Sequence, residues 1–303
     1  MPYCTSDTAY NSLREDVTSL NKNIIFFVLC KCICICICIT LCACTPPPDI
    51  PPGAAAVAAE VNTRSSLRSN DEYAQLSNTL IGWGLKKEKS KPPVMPESIS
   101  GLLKQYNGVY IAENADKTLY LTFDEGYENG YTAPILDILE ASNVPAAFFI
   151  TGDYIEREPE LVKRMYDNGH IVGNHTVNHP SMPSIVSAAE LVEEITALDN
   201  EFFALTGAHM RYMRPPRGEF SERTLAITMD LGYTSVFWSF AYADWETDKQ
   251  KGAQHAYDQV MPYLHDGAII LLHAVSKDNA EALERIINDA RGQGFEFKSL
   301  NEL

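Results

Sequence analysis

Residues 118–126 read TLYLTFDEG, and the fold class follows from this run. Its first half alternates β-branched, aromatic and aliphatic side chains, the pattern of a buried strand. The run stops on two adjacent carboxylates, Asp124 and Glu125, followed by Gly126. A strand that buries apolar residues and ends on paired acids sets charge at the rim of a sheet. In α/β folds the rim at the carboxyl ends of parallel strands is where chemistry is done. Taken alone, the run is equally a capped strand end before an ordinary turn, so the later strands decide.

Downstream the punctuation is regular. Thr132 is placed to cap a helix through Ala141, and AAFFIT (146–151) is a second strand. Glu158 to Asn168 reads as a helix closed by Gly169, and HIVGNH (170–175) as a third strand. Ser187 and Glu190 form a capping box for a helix ending near Gly207. MRYMRPP (210–216) is a strand, followed by a helix from Ser221 to Leu231. TSVFWS (234–239), a helix near 253–264, AIILLH (268–273), a helix from Asp278 and a last strand FEFKSL (295–300) complete the pattern. This alternation predicts an α/β fold, a distorted (β/α) barrel with parallel strands inside and helices outside. An open doubly wound sheet is the alternative, but no glycine-rich phosphate loop follows the first strand.

The predicted strands share a second property: they end on chemically capable residues. These are Asp124 with Glu125, His175 with His179, Arg214, Asp244 and His273. A barrel would gather them on one face. Two histidines four apart plus a carboxylate give an N/N/O set able to hold a divalent metal with open positions. A second carboxylate could deprotonate water, and a histidine opposite it could protonate a leaving group. Each residue also has a plainer role. HTVNH (175–179) reads as a polar loop, Arg214 as half of a surface pair, Asp244 as a turn cap and His273 as a satisfied core histidine. Five such coincidences at five strand ends favour a site. Trp238 and Trp245 read first as core residues.

Composition narrows the partners. The 303 residues are 46% hydrophobic and 21% charged, enough for one large core or two modest ones. The net charge of −16 argues against nucleic acid, since no basic field exists to release counterions. All eight cysteines lie between Cys4 and Cys44, so neither a disulfide framework nor a thiolate metal site is expected in the folded part.

Residues 1–44 read as a targeting segment. Ile24 to Cys44 is almost wholly apolar, and Cys32 to Cys44 has the length of a signal-peptide core rather than of a membrane span. Its LCAC end resembles a bacterial lipobox in which Cys44 is lipidated, and an uncleaved anchor is the alternative. Residues 1–20 carry three acids and one Arg, a poor leader, which suggests a start further in. Residues 45–70 are a Pro/Ala-rich tether, and residues 71–116 an extension expected to pack on the catalytic domain through Trp83.

TFDEG (122–126), HTVNH, RPPRG (214–218), ADW (243–245) and LLH (271–273) occur in the order and spacing of five motifs. They are those of the NodB-homology polysaccharide deacetylases, carbohydrate esterase family 4, which residues 117–303 resemble. YENGYT (127–132), FWS (237–239), LLHAVSKDNAEAL (271–283) and the upstream WGLKK (83–87) are similar to the subgroup that makes the muramic δ-lactam of spore cortex. The resemblance implies hydrolysis of an N-acetyl group on an amino sugar, with peptidoglycan strands as partner and a monomer as the working unit. It implies Asp124 as general base, His273 as general acid, Arg214 orienting Asp124, and Asp244 tuning His273. His175, His179 and Glu125 become ligands of a divalent metal, Zn, Mn or Co. The family commonly has Asp where this chain has Glu125. The longer side chain binds directly, binds through water, or points away. Leu271 would line the acetyl pocket, and the backbone N–H of Arg217 would face the oxyanion. Tyr127, Trp245 and the Arg217 guanidinium are taken as substrate contacts, with pairing of Arg217 to Glu128 or Glu219 as the plainer reading. The expected activity is removal of acetate from N-acetylmuramic acid by an extracytoplasmic, membrane-anchored or secreted enzyme. N-acetylglucosamine deacetylation and a catalytically dead glycan-binding barrel are the alternatives. The intact Asp124, Arg214, Asp244 and His273 set speaks against the last.

Overall fold

Residues 118–125 form the predicted strand, and every one of its residues is buried. The computed structural model describes residues 67–113 and 115–303. The targeting segment with Cys44, and the tether up to residue 66, lie outside the described residues.

In chain order, α1 (Asn70–Ala74), β1 (Ile81–Gly82), α2 (Glu97–Gln105) and β2 (Gly108–Val109) precede β3 (Thr118–Glu125). Next come α3 (Thr132–Ser142), β4 (Ala146–Ile150), α4 (Gly152–Arg157), α5 (Pro159–Asp167) and β5 (Ile171–Asn174). They are followed by α6 (Ala188–Thr206), β6 (Tyr212–Met213), β7 (Glu219–Phe220), α7 (Glu222–Asp230) and β8 (Thr234–Val236). The chain closes with α8 (Ala253–Val260), β9 (Ala268–His273), α9 (Lys277–Gly292) and β10 (Glu296–Phe297).

β3 is the central strand. It pairs in parallel with β4 on one side and β9 on the other, Leu121 lying opposite both Ala146 and Ile270. β4, β5, β6 and β8 follow one another in parallel. A parallel bridge between Phe240 and Ile270 brings the segment after β8 back to β9. The sheet therefore curls round on itself, as the sequence pattern predicts. β10 takes the first residues of β3, below the point where β4 begins, and β2 pairs with β8.

Strand alternation sorts the β3 side chains. Leu119, Leu121 and Phe123 join the large core, where Phe123 stacks on Phe148 at 5.1 Å. Tyr120 instead joins a smaller cluster with Phe149, Val236 and Ile269. Each fully buried Leu or Phe of this kind contributes about 1.5–3 kcal/mol. By the same alternation Thr122 and Asp124 share the Tyr120 face, and Glu125 shares the face of Phe123.

The segment before β3 packs closely on the sheet. Trp83 lies 4.4 Å from Phe237 and 5.5 Å from Tyr110 between ring centres. Its backbone N–H donates to Gly218 O at 2.9 Å and its indole N–H to Trp238 O at 3.0 Å. β1 pairs antiparallel with β7, so residues 81–83 lie along the loop that carries Arg217 and Gly218. A Cβ on Gly218 would meet the Trp83 Cβ at 2.6 Å. This contact and a φ of +65° both require glycine there.

Several local expectations are corrected. Thr132 is the first helical residue, not the cap, and its N–H is taken by the Glu128 carboxylate at 3.4 Å. Of the capping box before α6 only the Ser187 half forms. The strand expected at 210–216 pairs only over Tyr212–Met213, since Pro215 and Pro216 have no N–H to give a ladder. Helix α4, capped by the Thr151 side chain, was not expected. Neither were α2 and β2.

Candidate active site

The register of β3 against β9 places Asp124 directly opposite His273. β5 and β6 then deliver His175 and Arg214 to the same rim, as the residues just past their last paired positions.

Arg214 is fully buried and every one of its nitrogens is used. Nη1 donates to Asp124 Oδ1 at 2.7 Å, Nη2 to Thr122 Oγ1 at 2.9 Å, and Nε to Val236 O at 3.0 Å. The guanidinium lies 4.1 Å above the Phe149 ring. A planar donor fork held on all sides presents Nη1 to Asp124 Oδ1 from a fixed direction. Burial would raise the Asp124 carboxyl, but Arg214, then His175 and His273, outweigh it and hold it below its ordinary value.

His175 Nδ1 lies 2.8 Å from Arg214 O. A carbonyl only accepts, so Nδ1 carries the hydrogen and Nε2 presents its lone pair to Asp124 Oδ2, 3.5 Å away. Burial pushes this imidazole down to about 4, so it is neutral under ordinary conditions. His179, half-buried with a left-handed φ of +54°, stands with its ring 4.8 Å from that of His175. Burial lowers it as well.

His273 faces the opposite balance. Burial would lower it, but the Asp244 carboxylate raises it above its ordinary value. Asp244 accepts the His273 Nδ1–H at 2.7 Å and its backbone N–H at 2.8 Å. The site thus pairs a depressed carboxylate with an elevated imidazole, an arrangement suited to a base and an acid.

A cleft of about 1050 Å³ opens over these groups. Asp124, His175, His179 and His273 line it together with Arg217 and Leu271. Tyr127 and Trp245 stand half-exposed on its walls, Trp245 edge-on to His273 at 5.4 Å. The core reading therefore fails for Trp245, and Trp238, only partly buried, also lines the cleft. Neither proposed acid partner engages Arg217: among the described residues it forms no ion pair, and Glu128 is occupied by Gly130 N–H, Thr132 N–H and the Tyr154 hydroxyl. Thr122 was missed from the sequence, although it sits two residues before Asp124 on the same strand face.

Glu125 is the correction with the largest chemical consequence. Alternation along β3 turns it away from Asp124, and it does not line the cleft. Both its carboxyl oxygens are buried without a hydrogen-bond partner. Burial, then Glu128 and Asp124, raise its carboxyl well above its ordinary value, the direction that favours the uncharged form. Among the described residues no group of three His, Cys, Asp or Glu is placed to hold a metal ion. The set Glu125, His175 and His179 does not fit a three-ligand centre. Replacing Glu125 by Gln keeps the shape of a side chain that does not line the cleft and that burial disfavours in its charged form. Acetate release should change by less than about threefold, roughly 0.6 kcal/mol on the barrier. A loss of 100-fold or more in kcat would return Glu125 to the site.

Comparison with known proteins agrees with this geometry. A family profile described as polysaccharide deacetylase matches residues 112–236. The peptidoglycan-N-acetylmuramic acid deacetylase PdaA of Bacillus subtilis is 44% identical over 228 residues, 75% of this chain and 86% of that protein. Its solved structure superposes with a TM-score of 0.73, covering 75% of this chain and 98% of the other. A family 4 carbohydrate esterase from Bacillus anthracis is 44% identical with a TM-score of 0.64, covering 75% and 97%. A peptidoglycan-N-acetylglucosamine deacetylase of Listeria monocytogenes is 33% identical, covering 62% of this chain and 39% of that one.

Proposed function

The chain belongs to the polysaccharide deacetylases, carbohydrate esterase family 4, and on that footing we propose that it hydrolyses the acetamido group of N-acetylmuramic acid residues in peptidoglycan. Family 4 enzymes are generally metalloenzymes. The observation that carries the reading is Asp124 and His273 standing side by side at adjacent strand ends and lining one cleft, the first held low by Arg214 and the second held high by Asp244.

His175 Nε2 and Asp124 Oδ2 are two acceptors converging on one point of the cleft. A water donating to both would stand where Asp124 can take its proton as the oxygen attacks the carbonyl carbon. The tetrahedral intermediate then collapses as His273 gives its Nε2 proton to the amide nitrogen. The C–N bond breaks, acetate leaves, and the sugar keeps a free amine. An amine is a poor leaving group, so the proton from His273 is needed at this step. Leu271, buried at the cleft floor, offers an apolar surface to the acetyl methyl. Acetate release from muramic-containing glycan, with N-acetylglucosamine oligomers as comparison, tests the reading. No release from either would overturn it.

Arg217 is the residue on which sugar choice turns. It carries a left-handed φ of +59° and its side chain lines the cleft beside His179. N-acetylmuramic acid differs from N-acetylglucosamine by a lactyl ether whose carboxylate lies near the acetamido group. Guanidinium matches carboxylate in bidentate geometry. Arg217→Tyr should cost about 1.5–3 kcal/mol in kcat/KM on muramic substrates, with activity on N-acetylglucosamine oligomers kept or raised. Equal losses on both sugars would mean that Arg217 supports the loop and does not read the lactyl group.

We also propose that the protein works outside the cytoplasm, anchored through Cys44, and acts as a monomer on cortex-type peptidoglycan on the way to the muramic δ-lactam. The apolar run ending LCAC supports the anchor. Among the described residues no helix is long and apolar enough to cross a membrane. Membrane fractionation of wild type against Cys44→Ala checks the anchor, and muropeptide analysis of spores lacking the protein checks the cortex role.

A further inference from the structure

Against the Asp244–His273 pair lies Asn279, the third residue of α9, 1% exposed and absent from the cleft lining. Its place is set from the start of that helix. Ser276 caps α9 by accepting the Asn279 backbone N–H at 3.2 Å, and its own hydroxyl donates to Gln250 Oε1 at 2.8 Å. Gln250 Nε2 in turn donates to the main-chain oxygen of Asp244 at 3.2 Å. The helix start and the Asp244 loop are thereby one unit.

The orientation of the Asn279 amide follows from its neighbours. One end lies 2.5 Å from Asp244 Oδ2 and 3.2 Å from His273 O. Both of these groups only accept, so the atom between them is the amide nitrogen, with one hydrogen for each. That leaves the amide oxygen to the Tyr242 hydroxyl, which donates to it. Every polar atom of the side chain is used. The neighbouring Asp278 carboxylate is occupied separately, accepting the backbone N–H groups of Lys251 and Gly252 at 2.6 and 2.8 Å.

Asp244 is consequently clamped. Its Oδ2 receives Asn279 Nδ2 and the His273 backbone N–H, which leaves Oδ1 aimed at His273 Nδ1. Rotation of the carboxylate about Cβ–Cγ would break all of these bonds together. We propose that Asn279 is a positioning residue of the reaction: it fixes Asp244 in the plane that keeps His273 Nδ1–H engaged and its Nε2 turned to the cleft. This rests on the deacetylase reading above and extends it to a residue that touches neither substrate nor reacting atoms.

Two variants test it. Asn279→Leu removes the amide at similar volume, and Asn279→Asp keeps the shape but loses the donor and sets a second carboxylate against Asp244. General acids contribute about 10²–10⁴-fold to rate, so a misdirected His273 should lower kcat by about 10-fold or more, with KM within about twofold. The downfield proton resonance of His273 Nδ1–H should broaden or vanish in the same variants. A residue that only packs α9 would lower the unfolding midpoint and leave both readouts in place. Should Asn279→Leu not fold, the isosteric Asn279→Asp carries the test. Folded variants with wild-type kcat and an unmoved Nδ1–H resonance overturn the proposal. Wild type that releases no acetate from either sugar overturns the deacetylase reading instead, and the resonance still decides whether Asn279 holds the pair.

Discussion

Asp124→Asn is expected to lower kcat by at least about 100-fold, the scale of a lost general base, while the protein still folds. The amide keeps the shape and can still accept from Arg214, but it cannot take a proton from water. Glu125, one residue on, faces the other side of β3 and cannot substitute. The wild-type pH profile supplies a second readout. Activity needs Asp124 ionised, so it falls as pH drops through a value below the ordinary 3.8. It also needs His273 protonated, so it falls as pH rises through a value above the ordinary 6.5. A plateau bounded in this way, with the residual activity of Asp124→Asn lacking the acid limb, is the expected result. Near-normal acetate release from the variant would remove Asp124 from this role.

The second large effect is on stability. Arg214→Met should lower the unfolding free energy by about 3–5 kcal/mol, the range for removing one partner of a buried ion pair. The loss has a definite origin. Asp124 would remain buried without its counter-ion, and Thr122 Oγ1 and Val236 O would each lose a donor. Adding Asp124→Asn to Arg214→Met removes the stranded charge and should recover part of the loss. Urea midpoints at unchanged slope measure both steps. A single-variant loss under about 1 kcal/mol would mean that the pair is solvated and behaves as a surface contact.

The strands that build the rim were legible because alternation and run length leave few readings of TLYLTFDEG or AIILLH. Register then brought Asp124 against His273, which the order of motifs implies but does not show. The short pairings escaped. β1, β2 and β7 span two residues each and exist only because a partner strand meets them, so no local pattern announces them. Within the site, strand parity and family resemblance pointed different ways for Glu125, and the structure follows parity. Asn279 left no local trace, since its role depends on Asp244, 35 residues away in the chain, and on Tyr242 beyond it.

The strap formed by β1 and Trp83 bears on where a usable version of this protein can begin. The five motifs all lie after residue 117, and a shortened form cut there would retain every proton-transfer group. It would also bare the Phe220 and Phe237 rings against which Trp83 rests, and release the hydrogen bond that ties Gly218 O to the strap. The loop bearing Arg217 would then be free to abandon its left-handed turn. Such a product would expose two apolar rings and, on the role proposed for Arg217, discriminate less between sugars while its acid–base pair stayed intact, so a form meant to keep that loop in place starts ahead of Ile81.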